Sequence, residues 1–140
     1  MTKLTTTLFI PTINEIDGLK AIMPKIDRSW VDQILIVDGN SNDGTVEYAK
    51  SQGYEIHVQT KKGLRHAYNE GFEKIRGDIV ITFSPDGNCI PDFIPKLIEE
   101  MHKGYDMVVA SRYKDDAKSD DDDLITAFGN KIFNVVTGLL

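Results

Sequence analysis

The hydrophobic and polar positions of the chain switch repeatedly between two periods. Leu4 to Ile10 is β-branched and apolar and is closed by Pro11, which predicts a strand. Ile16, Leu19, Ile22, Met23 and Ile26 then recur at helical spacing, and Asn14 with Asp17 three residues on forms a variant capping box that predicts the start of the helix. Gln33 to Asp38 is a nearly continuous apolar run, the pattern of a strand buried on both faces. A polar turn from Gly39 to Gly44 leads into a short helix reaching Gln52, stopped by Gly53, and Tyr54 to Gln59 alternates as a third strand. Leu64, Ala67, Tyr68, Gly71, Phe72 and Ile75 give the next helix the clearest period in the chain. Asp78 to Phe83 predicts a fourth strand, Pro91 opens a helix carrying Ile94, Leu97, Ile98 and Met101, and Asp106 to Ser111 predicts a fifth strand. Such strand–helix alternation predicts an α/β fold, a three-layer sandwich whose mainly parallel sheet is covered on both faces. In these sheets ligands bind beyond the carboxyl ends of the strands, so function is sought there.

The remainder of the chain adds two expectations. Residues 114–123 form an acidic run that predicts a solvated, mobile loop, because like charges resist ordering. Residues 124–140 place Leu124, Ile125, Phe128, Ile132, Val135, Val136 and Leu139 at mostly helical spacing. This predicts a terminal amphipathic packing helix whose apolar face could instead drive a homodimer. Residues 1–140 are taken as one domain, since 140 residues suffice for a core of their own.

Composition narrows the function classes. With 16 basic and 22 acidic residues, a net charge of −6, the chain has no basic face for a nucleic-acid groove, and no nucleic-acid partner is expected. The single cysteine, Cys89, excludes an internal disulfide and a Cys-based zinc cluster. His57, His66 and His102 lack ligand-like spacing. The start of the chain has no apolar region long enough for a signal peptide, and no apolar run approaches the ~18 residues of a membrane span. A cytoplasmic location is therefore the expectation.

Three polar clusters fall just after predicted strands: Pro11-Thr12-Ile13-Asn14-Glu15, Asp38 to Thr45, and Ser84-Pro85-Asp86-Gly87-Asn88. Converging on one sheet edge, they suit a polyhydroxylated or phosphorylated ligand. Together with Lys62-Gly63-Leu64 and Gly77-Asp78-Ile79-Val80, these clusters resemble, in order and register, the family 2 glycosyltransferases of the GT-A fold. Those proteins carry P-x-x-N-E, V-D-D-G-S-x-D-G-T, K-G, G-D and D-A-D-G-Q. Ser111-Arg112-Tyr113, Gly129-Asn130-Lys131 and Thr137-Gly138-Leu139 further resemble the dolichol-phosphate mannose synthase branch.

The resemblance implies a Rossmann-like nucleotide-sugar-binding fold and a UDP- or GDP-sugar donor. It implies nucleotide contacts from Pro11, Thr12, Asn14, Glu15, Asp38, Lys62, Asp86 and Arg112. Asp38 would accept from the ring N–H of the base, the alternative being a turn cap. Lys62 and Arg112 would meet phosphate, Arg112 through its planar fork. Ser41, Asn42 and Asp43 are read as building the turn and capping the second helix. The resemblance also implies Mg²⁺ or Mn²⁺ neutralising the leaving diphosphate. The family's D-x-D reads Ser84-Pro85-Asp86 here, so the metal set becomes Asp86 with Ser84 and Asn88, a weakened motif. The same Pro-Asp-Gly stretch is also a β-turn, and the turn would present Asp86.

An alcohol acceptor needs a general base, which relatives supply later than this chain extends. A lipid phosphate, with a second pKa near ~6, is already ionised and needs none. The resemblance thus points to inverting transfer onto a polyprenyl phosphate at the cytoplasmic membrane face, by a chain expected to be truncated from a longer enzyme. The alternative is a non-catalytic nucleotide-sugar-binding module with a degenerate metal motif. A nucleotidyltransferase is disfavoured because no Gly-rich phosphate loop follows the first strand.

Overall fold

A computed structural model describes residues 4–111. The chain divides after Ala110, and the unit described is Met1–Ala110 from Leu4 onward. Residues 112–140, and with them Arg112, the acidic run and the predicted terminal helix, lie outside the described residues.

The elements follow in the order β1 (Thr6–Thr12), α1 (Ile16–Ile22), β2 (Gln33–Asp38), α2 (Thr45–Ser51), β3 (Glu55–Val58), α3 (Leu64–Phe72), β4 (Ile79–Thr82) and α4 (Phe93–Met101). The sheet is wholly parallel with the order β3-β2-β1-β4. Its register sets Thr12 beside Asp38, and Asp38 beside Val58, at the carboxyl edge.

Both faces of the sheet are covered, as the continuous apolar runs require. Leu8, Ile10 and Ile36 point to the face packed by Leu19 and Ile22 of α1, Ala49 of α2 and Ile94 of α4. Phe9, Leu35 and Val37 point the other way, against Ala67 of α3. The period of two along each strand thus divides one apolar run between two cores.

Four expectations are corrected. First, β1 continues through Pro11 instead of ending before it. The carbonyls of Thr5 and Phe9 accept from β4-side N–H groups of Ile79 and Phe83, so odd positions of β1 face β4. β4 ends at Thr82, opposite Phe9, and the missing N–H of Pro11 therefore breaks no ladder bond. Second, α1 stops at Ile22 and tightens into a 3-10 turn, Met23–Lys25, with Pro24 inside it. Third, no strand forms over 106–111. Met107 and Val109 are 77% and 67% exposed, because β-branched composition is only a propensity and no described strand pairs with the outer edge of β4.

Fourth, the regular apolar stripe of α3 is not its buried face. Only Ala67 and Gly71 are buried, whereas Leu64 and Phe72 are 63% and 74% exposed. A Cβ at Gly71 would lie 2.3 Å from Phe9 Cε2 and 2.8 Å from Val37 Cγ2. The helix meets the sheet through its smallest side chains, and the large ones flank the contact. Tyr68 stacks on Phe9 with ring centroids 5.2 Å apart. Tyr68, Phe72, Ile75 and Val80 line a shallow apolar groove there.

Candidate nucleotide-sugar site

The loops after β1 and β2 are built as one hydrogen-bonded unit. Asp38, at the end of β2, is fully buried. Its Oδ1 accepts from the Ser41 N–H at 2.8 Å, and its Oδ2 from the Ser41 and Thr12 hydroxyls at 2.6 and 3.1 Å. The carboxylate is thus turned into the protein, and Thr12, itself buried, serves it.

The predicted capping box at Asn14 does not form. Asn14 adopts a positive φ of 53°, and its side-chain oxygen accepts from the Asn42 N–H at 3.0 Å. Its own N–H donates to Ser41 Oγ at 2.7 Å. The first turn of α1 is capped from the β2–α2 loop instead: Ile16 N–H donates to Asp43 Oδ2 at 3.1 Å and Glu15 N–H to Thr45 Oγ1 at 2.9 Å. Asp43 Oδ1 also takes the N–H and hydroxyl of Thr45 at the head of α2. Asp43 therefore ties two helix starts together, which extends its expected role as a turn and cap residue. Burial alone would raise the Asp43 pKa, but the bonds from Thr45 and Ile16 outweigh it and hold it below the usual range.

Glu15 stands apart from this satisfied framework. Its Oε2 is buried without a hydrogen-bond partner among the described residues. Burial first, then the negative charges of Asp86, Asp43 and Asp17, push its pKa up. The start of α1 and the loop after β4 lie close together. Gly18 of α1 makes this closeness possible: a Cβ there would lie 2.5 Å from the Pro85 carbonyl oxygen.

The stretch after β4 is the turn foreseen from its composition, with Asp86 Oδ1 accepting the Asn88 N–H at 2.9 Å. Gly87 takes the left-handed φ of 92° that lets the chain double back. Pro85 is buried, Ser84 half-buried, and Asp86 and Asn88 are exposed. Among the described residues no group of three or more His, Cys, Asp or Glu side chains could hold a metal ion. The donor set is one carboxylate with a neutral hydroxyl and an amide. That set fits a cation whose remaining ligands are a substrate's phosphates and water, the usual mode for Mg²⁺, and not a closed protein cage.

Lys62 is exposed in the β3–α3 loop, and Pro11 is half-buried in β1. That loop contains residues the sequence did not single out. Gln59, buried, gives its side-chain amide to the carbonyls of Lys61 and Gly63. Glu70 of α3 accepts from the Thr60 N–H at 2.8 Å, the Thr60 hydroxyl at 2.8 Å and the Lys61 N–H at 3.2 Å. Nε2 of His57 lies 2.9 Å from Glu70 Oε2 and carries the proton, since a carboxylate only accepts. The Thr60 backbone bond, then His57, then the Thr60 hydroxyl and Lys61 hold the Glu70 pKa down at about 2. The signal in the sequence was faint: a helical acid about two turns from a polar loop reads as a solvated surface position.

Comparison with known proteins agrees with this fold. The profile described as glycosyl transferase family 2 matches residues 7–137. The chain is 37% identical over 114 residues to a dolichol-phosphate mannosyltransferase of Pyrococcus furiosus, covering 76% of this chain and 32% of that protein. It is 34% identical over 113 residues to an undecaprenyl-phosphate mannosyltransferase of Micrococcus luteus, covering 74% and 46%. Among solved structures it resembles glucosyl-3-phosphoglycerate synthase of Mycobacterium tuberculosis bound to Mn²⁺, UDP and glucosyl-3-phosphoglycerate. That match has a TM-score of 0.57 and 26% identity, covering 70% of this chain and 39% of the other. The same enzyme with phosphoglyceric acid matches with a TM-score of 0.60 and 25% identity, over 72% and 40%. The chain spans less than half the length of each of these relatives. The parallel α/β sheet is that of the GT-A glycosyltransferases, and the chain belongs to glycosyl transferase family 2.

Proposed function

We propose that this chain forms the donor half of a glycosyltransferase that moves a sugar from a nucleoside diphosphate to a polyprenyl phosphate with inversion. The observation that carries the reading is the joining of the strand-end loops of β1, β2 and β3 at one sheet edge, with the Asp86 turn drawn against α1 at Gly18. Such an edge is where parallel α/β sheets take nucleotides. The mannosyltransferases of Pyrococcus furiosus and Micrococcus luteus are named for lipid-phosphate acceptors, which supports the acceptor class.

In the proposed reaction an acceptor phosphate oxygen bonds to the anomeric carbon from the face opposite the leaving group. The bond from that carbon to the diphosphate breaks, and its electron pair departs with the nucleoside diphosphate. An acceptor phosphate ionised at neutral pH needs no proton removed, so no general base is required of the described residues. Thr12, Asn14 and Asp38 act by fixing the β1 and β2 loops, and Asp38 reaches a base only if Ser41 releases it. Pro11 and Glu15 border the nucleotide, and Lys62 and Arg112 meet its phosphates. Asp86, with Ser84 and Asn88, would hold Mg²⁺ or Mn²⁺, which would neutralise the leaving diphosphate. The complex of the related synthase with Mn²⁺ and UDP supports a divalent ion accompanying the donor.

Calorimetric titration with UDP- and GDP-sugars, with and without Mn²⁺, tests the reading. Binding that strengthens with Mn²⁺ and weakens in Asp86→Ala is the expected result. Binding indifferent to both removes the metal role and favours a non-catalytic binding module. The absence of binding to any nucleotide sugar overturns the reading altogether.

A further inference from the structure

We propose that Glu70 is a positioning residue that clamps the β3–α3 loop so that Lys62 is presented to the nucleotide site. The proposal rests on the functional reading above for its ligand, and on geometry alone for the clamp.

The loop is held from two sides. On one side Glu70 collects the N–H groups of Thr60 and Lys61 and the Thr60 hydroxyl. On the other, the Gln59 amide donates to the carbonyls of Lys61 and Gly63. The backbone groups flanking Lys62 are thereby occupied, while the Lys62 side chain has no hydrogen bond or ion pair among the described residues and stays exposed. Gly63, with φ 109° and ψ 148°, lets the chain leave the loop directly into α3.

The clamp is also tied to the site. Gln59 N–H donates to the Asp38 carbonyl at 2.9 Å, and Asn40 Nδ2 donates to the Gln59 carbonyl at 2.9 Å. The β3–α3 loop is thus bonded directly to the β2–α2 loop that Asp38 organises. Meeting a phosphate through Lys62 costs both the rotamer freedom of its side chain and the ordering of the loop beneath it, and a backbone already fixed removes the second cost. Glu70 is suited to the task because its side chain is only 19% exposed, and His57, reaching it from β3, fixes its orientation. A carboxylate is also required. A glutamine in its place has one acceptor oxygen and would turn its amide donors toward N–H groups.

The test uses the full chain and three variants: Glu70→Gln, Lys62→Ala and the double variant. Trypsin cleavage after Lys61 and Lys62, followed by mass spectrometry, reads the order of the loop without any ligand. Glu70→Gln is expected to speed cleavage at these bonds about tenfold, the factor equivalent to ~1.4 kcal/mol of local opening. Cleavage after Lys103, far from the loop, should be unchanged. The affinity for the nucleotide sugar that the wild type binds best is expected to fall in both single variants, with the double variant no weaker than Lys62→Ala. Unchanged cleavage in Glu70→Gln overturns the clamp. Faster cleavage with unaltered affinity, or with losses that add in the double variant, overturns the positioning role. A wild type that binds no nucleotide sugar refutes the functional reading and the positioning role together, and the cleavage rates then still decide the clamp.

Discussion

Gly18→Ala tests the packing that brings Asp86 to the site. A Cβ at this position lies 2.5 Å from the Pro85 carbonyl oxygen and 3.2 Å from its carbonyl carbon. An unstrained carbon–oxygen contact is ~3.4 Å, so α1 and the Pro85–Asp86 turn must separate by roughly 1 Å. The contact is to backbone and cannot be relieved by a rotamer change. Overpacking of this kind costs about 1–3 kcal/mol. The alanine returns ~0.5–1 kcal/mol through its better helix propensity. The net loss, up to ~2.5 kcal/mol, leaves the domain folded with Tm lowered by several degrees. Nucleotide-sugar binding suffers more, because a ~1 Å misplacement of a contact group can cost up to ~100-fold where geometry is critical. The assay pairs thermal unfolding with calorimetric titration in Mn²⁺, and Gly53→Ala is its control. Gly53 has φ +71° with no atom within 4 Å of a built Cβ, so alanine there brings backbone strain and no steric push on the site. A Gly18→Ala protein with raised Tm and undiminished affinity would refute the argument that this glycine sets the position of Asp86.

Two further substitutions separate framework from site. Glu15 has its folded pKa raised above the ordinary value by burial and by Asp86, Asp43 and Asp17, so its stabilising contribution is present below the unfolded pKa and is lost as pH rises through the folded one. Glu15→Gln is accordingly expected to raise Tm at pH 7 and to match the wild type near pH 3, and a Tm difference independent of pH would contradict this. Asp38→Ala strands the buried Thr12 hydroxyl and the half-buried Ser41, and is expected to cost about 1–3 kcal/mol for the buried Thr12 hydroxyl left unsatisfied and less for Ser41, which water can reach, measured by urea unfolding. Unchanged stability would mean that the loop re-forms its bonds elsewhere.

The periodicity alone determined the order β1-α1-β2-α2-β3-α3-β4-α4, because runs such as Gln33–Asp38 and stripes such as Ile94, Leu97, Ile98 and Met101 record which faces must leave water. It also located the edge where ligands bind, since in a parallel sheet every strand end after a βα unit emerges on the same side. Local chemistry carried the Pro85-Asp86-Gly87 turn and the Asp43 cap on α2 at Thr45, whose bonds are made within a few residues. Tertiary structure decided what depends on partners distant in sequence. Asn14 looked like a helix cap but is held by Asn42 and Ser41, which only the β1–β2 pairing brings near. The stripe of α3 looked like a core face, but the approach of Gly71 to Phe9 and Val37 left Leu64 and Phe72 exposed. Residues 106–111 have a strand's composition but pair with no strand among the described residues. Glu70 reads in the sequence as one more solvated acid, yet it lies nine residues beyond Lys61 and accepts its N–H. A sequence states which groups need partners, and packing alone determines which groups those partners are.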